Sequence, residues 1–82
     1  MPLIKFISPG ANGWNNITYV DDNKYIGYTI NNELRHGYGT LYANDGSIIK
    51  QGLWENDVLI ESIEEPEFGR IVNQIIHQRP HW

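Results

Sequence analysis

Clusters of Asn, Asp and Gly recur every 9–13 residues through the first 57 residues of the chain. Their side chains tolerate left-handed backbone and hydrogen-bond to their own main chain, so each cluster predicts a turn. The clusters are Asn12-Gly13, Asp21-Asp22-Asn23, Asn31-Asn32-Glu33, Asn44-Asp45-Gly46 and Asn56-Asp57. Turns this close together leave room only for short elements between them.

The segments between these turns are rich in Tyr, Ile, Thr and Trp, which favour strands. They cover residues 3–7, 14–20, 24–30, 38–42 and 47–54, with a sixth candidate strand at 58–63. Short strands joined by polar turns favour antiparallel hairpins. The fold class predicted is therefore mainly β (α+β), an antiparallel β-hairpin meander.

The hydrophobic period changes after Pro66. Apolar residues then follow at i, i+3, i+4, i+7 and i+8, which is one face of a helix: Phe68, Ile71, Val72, Ile75 and Ile76. The glutamates around Pro66 suit a helix N-terminus, and Pro80 ends the pattern. We predict one domain over 1–82, with a β-hairpin region at 1–63 and a C-terminal capping helix at 64–79. The apolar stripe of that helix docks either on the sheet or on a partner.

The β region contains an internal repeat. The segment 13–22 aligns with 37–46 at an offset of 24, and the offset becomes 25 where Gly27 aligns with Gly52. The extra residue falls within 47–51, where it predicts a β-bulge. A period in this range indicates stacked supersecondary units, each unable to bury its own faces.

The spacing of the glycines predicts how these units pack. Gly37 and Gly39 are two residues apart, so in a regular strand they face the same side. A strand without side chains on one face allows a neighbouring ring to lie against its backbone. The candidate rings are Tyr25 and Trp54, which we expect to supply much of the core.

These residues resemble the MORN repeat (membrane occupation and recognition nexus). The resemblance rests on Tyr25-Ile26-Gly27, His36-Gly37-Tyr38-Gly39-Thr40, Asp45-Gly46 and Gly52-Leu53-Trp54. One near-complete copy spans about 25–57, and a degenerate half copy spans about 13–28. The resemblance implies antiparallel hairpins of MORN type, a role in protein–protein contact or dimerisation, lipid association in some members, and no catalysis by the repeat.

Composition and charge exclude several function classes. The 82 residues include no cysteine, and ten acidic against six basic residues give a formal net charge of −4. Because nucleic-acid binding depends on clustered cations, we expect no nucleic-acid partner, and by the same reasoning a membrane surface is disfavoured. The cations stand alone in sequence: Lys5, Lys24, Arg35, Lys50, Arg70 and Arg79. With no bilayer-spanning run and no signal sequence, the expected location is the cytoplasm.

Candidate chemistry is sparse. His36, His77 and His81 are the three histidines, and metal binding or hydrolysis through them is one alternative function. Pro80 interrupts the helical spacing of the last two, and no partner motif surrounds His36, whose simpler interpretation is packing or bonding across a hairpin. The Gly37-Tyr38-Gly39 segment lacks the residues of a phosphate loop. We therefore predict no cofactor, no metal and no enzymatic activity.

Aromatic side chains outside the predicted core form the best candidate for an interaction surface, since aromatic residues are enriched at interfaces. The interaction candidates are Trp14, Tyr28, Tyr38, Tyr42 and Trp82, and Tyr19 belongs to the same set of exposed rings. The leading function is a small acidic protein-binding module, an adaptor or stoichiometric inhibitor. It would bind a larger protein or itself through the face or an edge of the β ribbon. The main alternative is a MORN module at a phospholipid surface.

Overall fold

A computed structural model describes residues 3–10 and 13–77 of the chain. It contains six strands and one helix: β1 Ile4–Ser8, β2 Trp14–Tyr19, β3 Lys24–Ile30, β4 Leu34–Tyr42, β5 Ile48–Glu55, β6 Val58–Ser62 and α1 Glu67–His77. All six strands form one sheet in the order of the chain, and each pairs antiparallel with its neighbours. The predicted mainly β meander with one C-terminal helix is confirmed.

The turns lie where the Asn, Asp and Gly clusters predict them. Asp22, Asn31, Asn32, Asn56 and Asp57 all have positive φ, between 48° and 75°. Short polar side chains tolerate this region best after glycine, which explains why they occupy these corners. Side chains also support the turns, because an oxygen of Asp21 accepts from the backbone N–H two residues later, and Asp45 does the same.

Most strand limits agree with prediction, and the main difference is in β4. β3 covers 24–30 as predicted, but β4 begins at Leu34 and not at residue 38. The pairing runs from Gly27 with Gly39 directly to Thr29 with Arg35, so β4 carries extra residues opposite Tyr28. The predicted bulge within 47–51 is confirmed at Ile49, which lies between the pairs formed by Lys50 and Ile48.

Strand alternation gives the sheet two faces, and one of them, the core face, holds the main hydrophobic cluster. That cluster contains Ile17, Tyr19, Tyr25, Leu41 and Trp54. Partly buried side chains from both outer strands pack against it: Ile4 and Ile7 from β1 and Leu59 from β6. Because the two outermost strands reach the same cluster, the sheet curls around it.

Gly39 provides the backbone surface on which the Tyr25 ring packs. A Cβ added to Gly39 would lie 2.5 Å from Cε1 of Tyr25, so only glycine leaves room for that ring. Tyr25 is fully buried and donates its hydroxyl to the carbonyl of Tyr28 at 2.7 Å. The Trp54 indole packs edge-on against Tyr25 and donates to the Gly39 carbonyl at 3.1 Å. The prediction that Tyr25 and Trp54 are core residues is confirmed.

Gly37 departs from the prediction. Its φ of +96° belongs to the irregular part of β4, so it does not face the same side as Gly39. A Cβ there would lie 3.0 Å from the Cβ and 3.5 Å from the Cγ of Tyr28, and not against Tyr25 or Trp54. The expectation that both glycines form one bare surface is wrong, because an added bulge rotates Gly37 away.

The helix covers the opposite side of the sheet, here called the helix face. Phe68 is buried and meets the ring of Tyr38 edge-on at 6.5 Å between centroids. α1 begins at Glu67, later than the predicted residue 64, and residues 78 and 79 lie outside the described part of the chain. No helix within the described residues is both long and apolar enough to cross a bilayer.

Candidate functional site

The helix face gathers four of the five predicted interaction residues. Trp14, Tyr28, Tyr38 and Tyr42 are all half-buried, and strand alternation places them on this face. Trp14 and Tyr28 lie on neighbouring strands and meet edge-on with 5.0 Å between ring centroids. Trp82 lies outside the described residues. Half-buried rings combine a fixed position with accessible apolar area, which is what an interface needs.

A groove separates the helix from part of the sheet. It encloses a volume of about 270 Å³. The sheet contributes Trp14, Ile26, Thr40, Tyr42 and Gln51, and the helical segment contributes Glu65, Phe68, Gly69, Val72 and Asn73. The groove is therefore bounded by two of the predicted aromatic residues and by Phe68 and Val72 of the apolar stripe of α1.

The buried polar side chains of the groove are already engaged inside the protein. The Thr40 hydroxyl donates to Oε1 of Gln51 at 2.8 Å, and Nε2 of Gln51 donates to the Ile63 carbonyl at 3.1 Å. Because buried polar groups are costly when unpaired, this pair fixes the position of the chain leaving β6. The groove therefore offers mainly apolar contact to a ligand.

Carboxylates surround one end of the groove. Glu65 lines the groove and also two neighbouring depressions of about 550 Å³ and 360 Å³, which add Glu61, Glu64 and Glu67. Glu67 pairs with Arg70 at 3.5 Å, and Oε2 of Glu65 accepts from the Gly69 N–H. Among the described residues, no Lys or Arg pairs with Glu61, Glu64 or Glu65. This end of the groove carries negative charge.

An ion pair that no sequence pattern indicated lies in the core face. Nε of Arg35 lies 2.6 Å from Oδ1 of Asp57, and a second guanidinium nitrogen donates to the Asp57 carbonyl at 3.1 Å. The guanidinium carbon lies 4.5 Å from the Trp54 ring centroid. Arg35 is buried, because its pairing with a carboxylate and its stacking on an aromatic ring compensate its charge. Its position across a hairpin from the Asn56-Asp57 turn was the available signal.

Tyr19 also belongs to the core and not to the exposed rings. Only 2% of its surface is exposed, and its hydroxyl has no hydrogen-bond partner within the described residues. Burial raises the pKa of Tyr19 to about 12, against the opposing effect of Arg35. Burial likewise raises the pKa of Tyr25. Both phenols therefore remain neutral over the physiological range.

His36 on β4 is engaged in a hydrogen bond to the turn that follows β5. Nδ1 of His36 accepts the backbone N–H of Asn56 at 3.1 Å, which confirms bonding across the hairpin. His77 ends α1, and its side chain and the whole of His81 lie outside the described part. Within that part, no three His, Asp or Glu side chains come together as a metal site.

Comparison of the chain with known protein families, with curated proteins and with solved structures found no match. The MORN resemblance stays a prediction that rests on the motif residues alone.

Proposed function

We propose that this protein is a non-enzymatic interaction module that binds a protein partner through its helix face. The observation that carries the proposal is the collection of four half-buried aromatic residues on that face, two of which border the groove. Large rings in such positions supply most of the binding energy in many interfaces. It would act in the cytoplasm as a MORN-type adaptor or as a stoichiometric inhibitor of its partner.

The structure favours a face over an edge as the binding surface. The two edge strands are β1 and β6, and each is irregular. Pairing in β1 skips Lys5, and pairing in β6 skips Ile60. Bulges and charges at sheet edges are features that hinder pairing with another strand. The proposal therefore assigns binding to the helix face.

Affinity capture from the native cell, read by mass spectrometry, tests the proposal. The wild-type chain is compared with Tyr42→Ala on the helix face and with Val20→Ala, an exposed apolar position in the β2–β3 turn. We expect one partner to be retained by the wild type and by Val20→Ala and to be lost with Tyr42→Ala.

Calorimetric titration with the purified partner then measures the effect directly. Truncation of a central aromatic residue should weaken binding at least about tenfold. Equal affinity of Tyr42→Ala and wild type, with both variants folded by circular dichroism, would contradict the assignment to this face.

A further inference from the structure

We infer that the partner segment seated in the groove presents an apolar side chain flanked by Lys or Arg. This inference rests on the proposed function, because it concerns the same face of the molecule. Small-molecule sites commonly enclose about 300–1,000 Å³, whereas the groove holds about 270 Å³. That volume is sufficient for an anchoring side chain of a protein segment.

The lining of the groove selects an apolar anchor. Ile26 lines it from the sheet and Val72 from the helix, and the rings of Trp14, Tyr42 and Phe68 complete its surface. The polar floor residues Thr40 and Gln51 are bonded to each other and to the backbone. A polar anchor would give up its hydration without gaining a partner from Thr40 or Gln51, so this part of the groove disfavours it.

The surrounding charge selects cations beside that anchor. Glu65 is the charged residue that lines the groove, and Glu64 lies beside it in both neighbouring depressions. The cations near these carboxylates are Arg70, already paired with Glu67, and the exposed Lys50, which lines one depression with Glu64 and Glu65 but forms no ion pair with either. Lys24 lies on β3 opposite Tyr42 of β4 and does not line the groove. The helix end of the groove is therefore acidic, and a basic residue docked there would gain an ion partner.

Selection from a random peptide library tests the anchor and the flanking charge together. The wild-type protein is the target. The variant Tyr42→Ala, which alters the groove without changing its charge, is used to remove peptides that bind elsewhere. We expect the enriched peptides to carry an apolar or aromatic residue with Lys or Arg next to it. Groove-dependent peptides that are neutral or acidic would overturn this inference and leave the proposed function standing. Absence of any groove-dependent peptide would overturn it as well, while the capture experiment tests the proposed function separately.

Paired charge variants of Asn73 then test the electrostatics with an enriched peptide. Asn73 is exposed and lines the groove, and both Lys and Glu are better helix formers than Asn, so both variants should fold. Asn73→Lys should weaken binding and Asn73→Glu should strengthen it, each about two- to fivefold and less at high salt. The same substitutions at Gln74, exposed on α1 but outside the groove, are the matched control.

Three results would overturn the inference at this stage. The first is an equal effect of the Asn73 and Gln74 variants on peptide affinity. The second is dimerisation of the pure protein by sedimentation that is lost in Tyr42→Ala, which would assign the groove to a second copy. The third is Tyr42-dependent co-sedimentation with phosphatidylserine vesicles, which would assign this face to a membrane surface.

Discussion

Replacing Gly39 by alanine tests the packing that defines the core face. A Cβ at this position would lie 2.5 Å from Cε1 of Tyr25 and nearer still to Cζ and the hydroxyl oxygen. The backbone of Gly39 cannot move away easily, because it is paired with Gly27 on one side and Gly52 on the other. Its carbonyl also accepts the Trp54 indole N–H. The tyrosine ring must therefore leave its site.

Displacing the Tyr25 ring removes its burial, its aromatic packing and its hydrogen bond together. Tyr25 is fully buried, packs edge-on against Trp54 and donates one hydrogen bond from its hydroxyl. Removing a large buried aromatic side chain costs about 3–5 kcal/mol, and displacing one completely should approach that range. A chain of 82 residues has an unfolding free energy of about 4–12 kcal/mol at ~0.05–0.15 kcal/mol per residue. Gly39→Ala should therefore remove a large part of the stability, and Gly39→Val more.

Urea unfolding followed by tryptophan fluorescence and circular dichroism measures this effect. Gly46→Ala is the control, because Gly46 has a φ of +91° but no atom within 4 Å of an added Cβ. It should cost only the backbone strain, about 1–2 kcal/mol. Tyr25→Leu, which replaces the ring by a shorter aliphatic side chain, should make Gly39→Ala less destabilising by at least about 1 kcal/mol in a double-mutant cycle. If Gly39→Ala costs no more than Gly46→Ala, or if the cycle shows no coupling, the proposed packing is refuted.

Three further predictions concern the core face. Trp54→Ala should lower the unfolding free energy by about 3–5 kcal/mol in the same urea assay, and a loss below about 1 kcal/mol would contradict burial of the indole. Asp57→Asn keeps a residue suited to φ 75° but removes the charge beside Arg35, so it should lower the unfolding free energy by about 2–3 kcal/mol. The matched change Asp22→Asn, at φ 69° in the exposed pair with Lys5, should lower the unfolding free energy by less than about 1 kcal/mol. Equal losses in the two variants would refute the claim that the buried pair contributes more than the exposed pair. Burial raises the pKa of Tyr19 from 10 to about 12, so the contribution of Tyr19 to stability should be constant below pH 10 and then fall by up to about 1.4 kcal/mol per pH unit toward pH 12. The pKa of Tyr25 is also raised, so Tyr19→Phe should reduce the fall in stability without abolishing it. An unchanged pH profile in Tyr19→Phe would contradict this reasoning.

The sequence predicted the parts of the fold that depend on neighbouring residues. Asn31, Asn32, Asn56 and Asp57 predict their corners because short polar side chains tolerate positive φ, and the structure has positive φ at each. The bulge at Ile49 was visible because the repeat changes offset by one residue within 47–51. Strand order followed from the short turns, which allow pairing only with the next strand.

Features that depend on distant residues were not predictable from the same patterns. Gly37 looked equivalent to Gly39 until the pairing of β3 with β4 showed that Gly37 lies among the extra residues of β4 opposite Tyr28. Arg35 entered the core because a carboxylate from the next hairpin and the Trp54 ring together compensate its charge. Tyr19 is buried because it lies on the same side of β2 as the core residue Ile17. The residues next to it in the sequence do not distinguish it from the half-buried tyrosines.

The candidate site was predictable as a set of residues but not as a shape. Aromatic content identified Trp14, Tyr28, Tyr38 and Tyr42 as interaction candidates, and alternation within each strand places them together. The groove required knowing which face α1 covers. The apolar stripe of the helix shows only that it must dock, since a stripe carries no information about which surface receives it.

The order of the strands also determines how quickly the protein can find its native state. Each strand pairs only with its predecessor and its successor along the chain, so every hairpin closes a short loop with a small entropic cost. Proteins with such local connectivity cross their folding barrier faster than β proteins whose partners are distant in sequence. Folding can therefore begin at one hairpin and extend to the strands on either side of it. The Tyr25–Trp54 contact then joins successive hairpins into one cooperative unit.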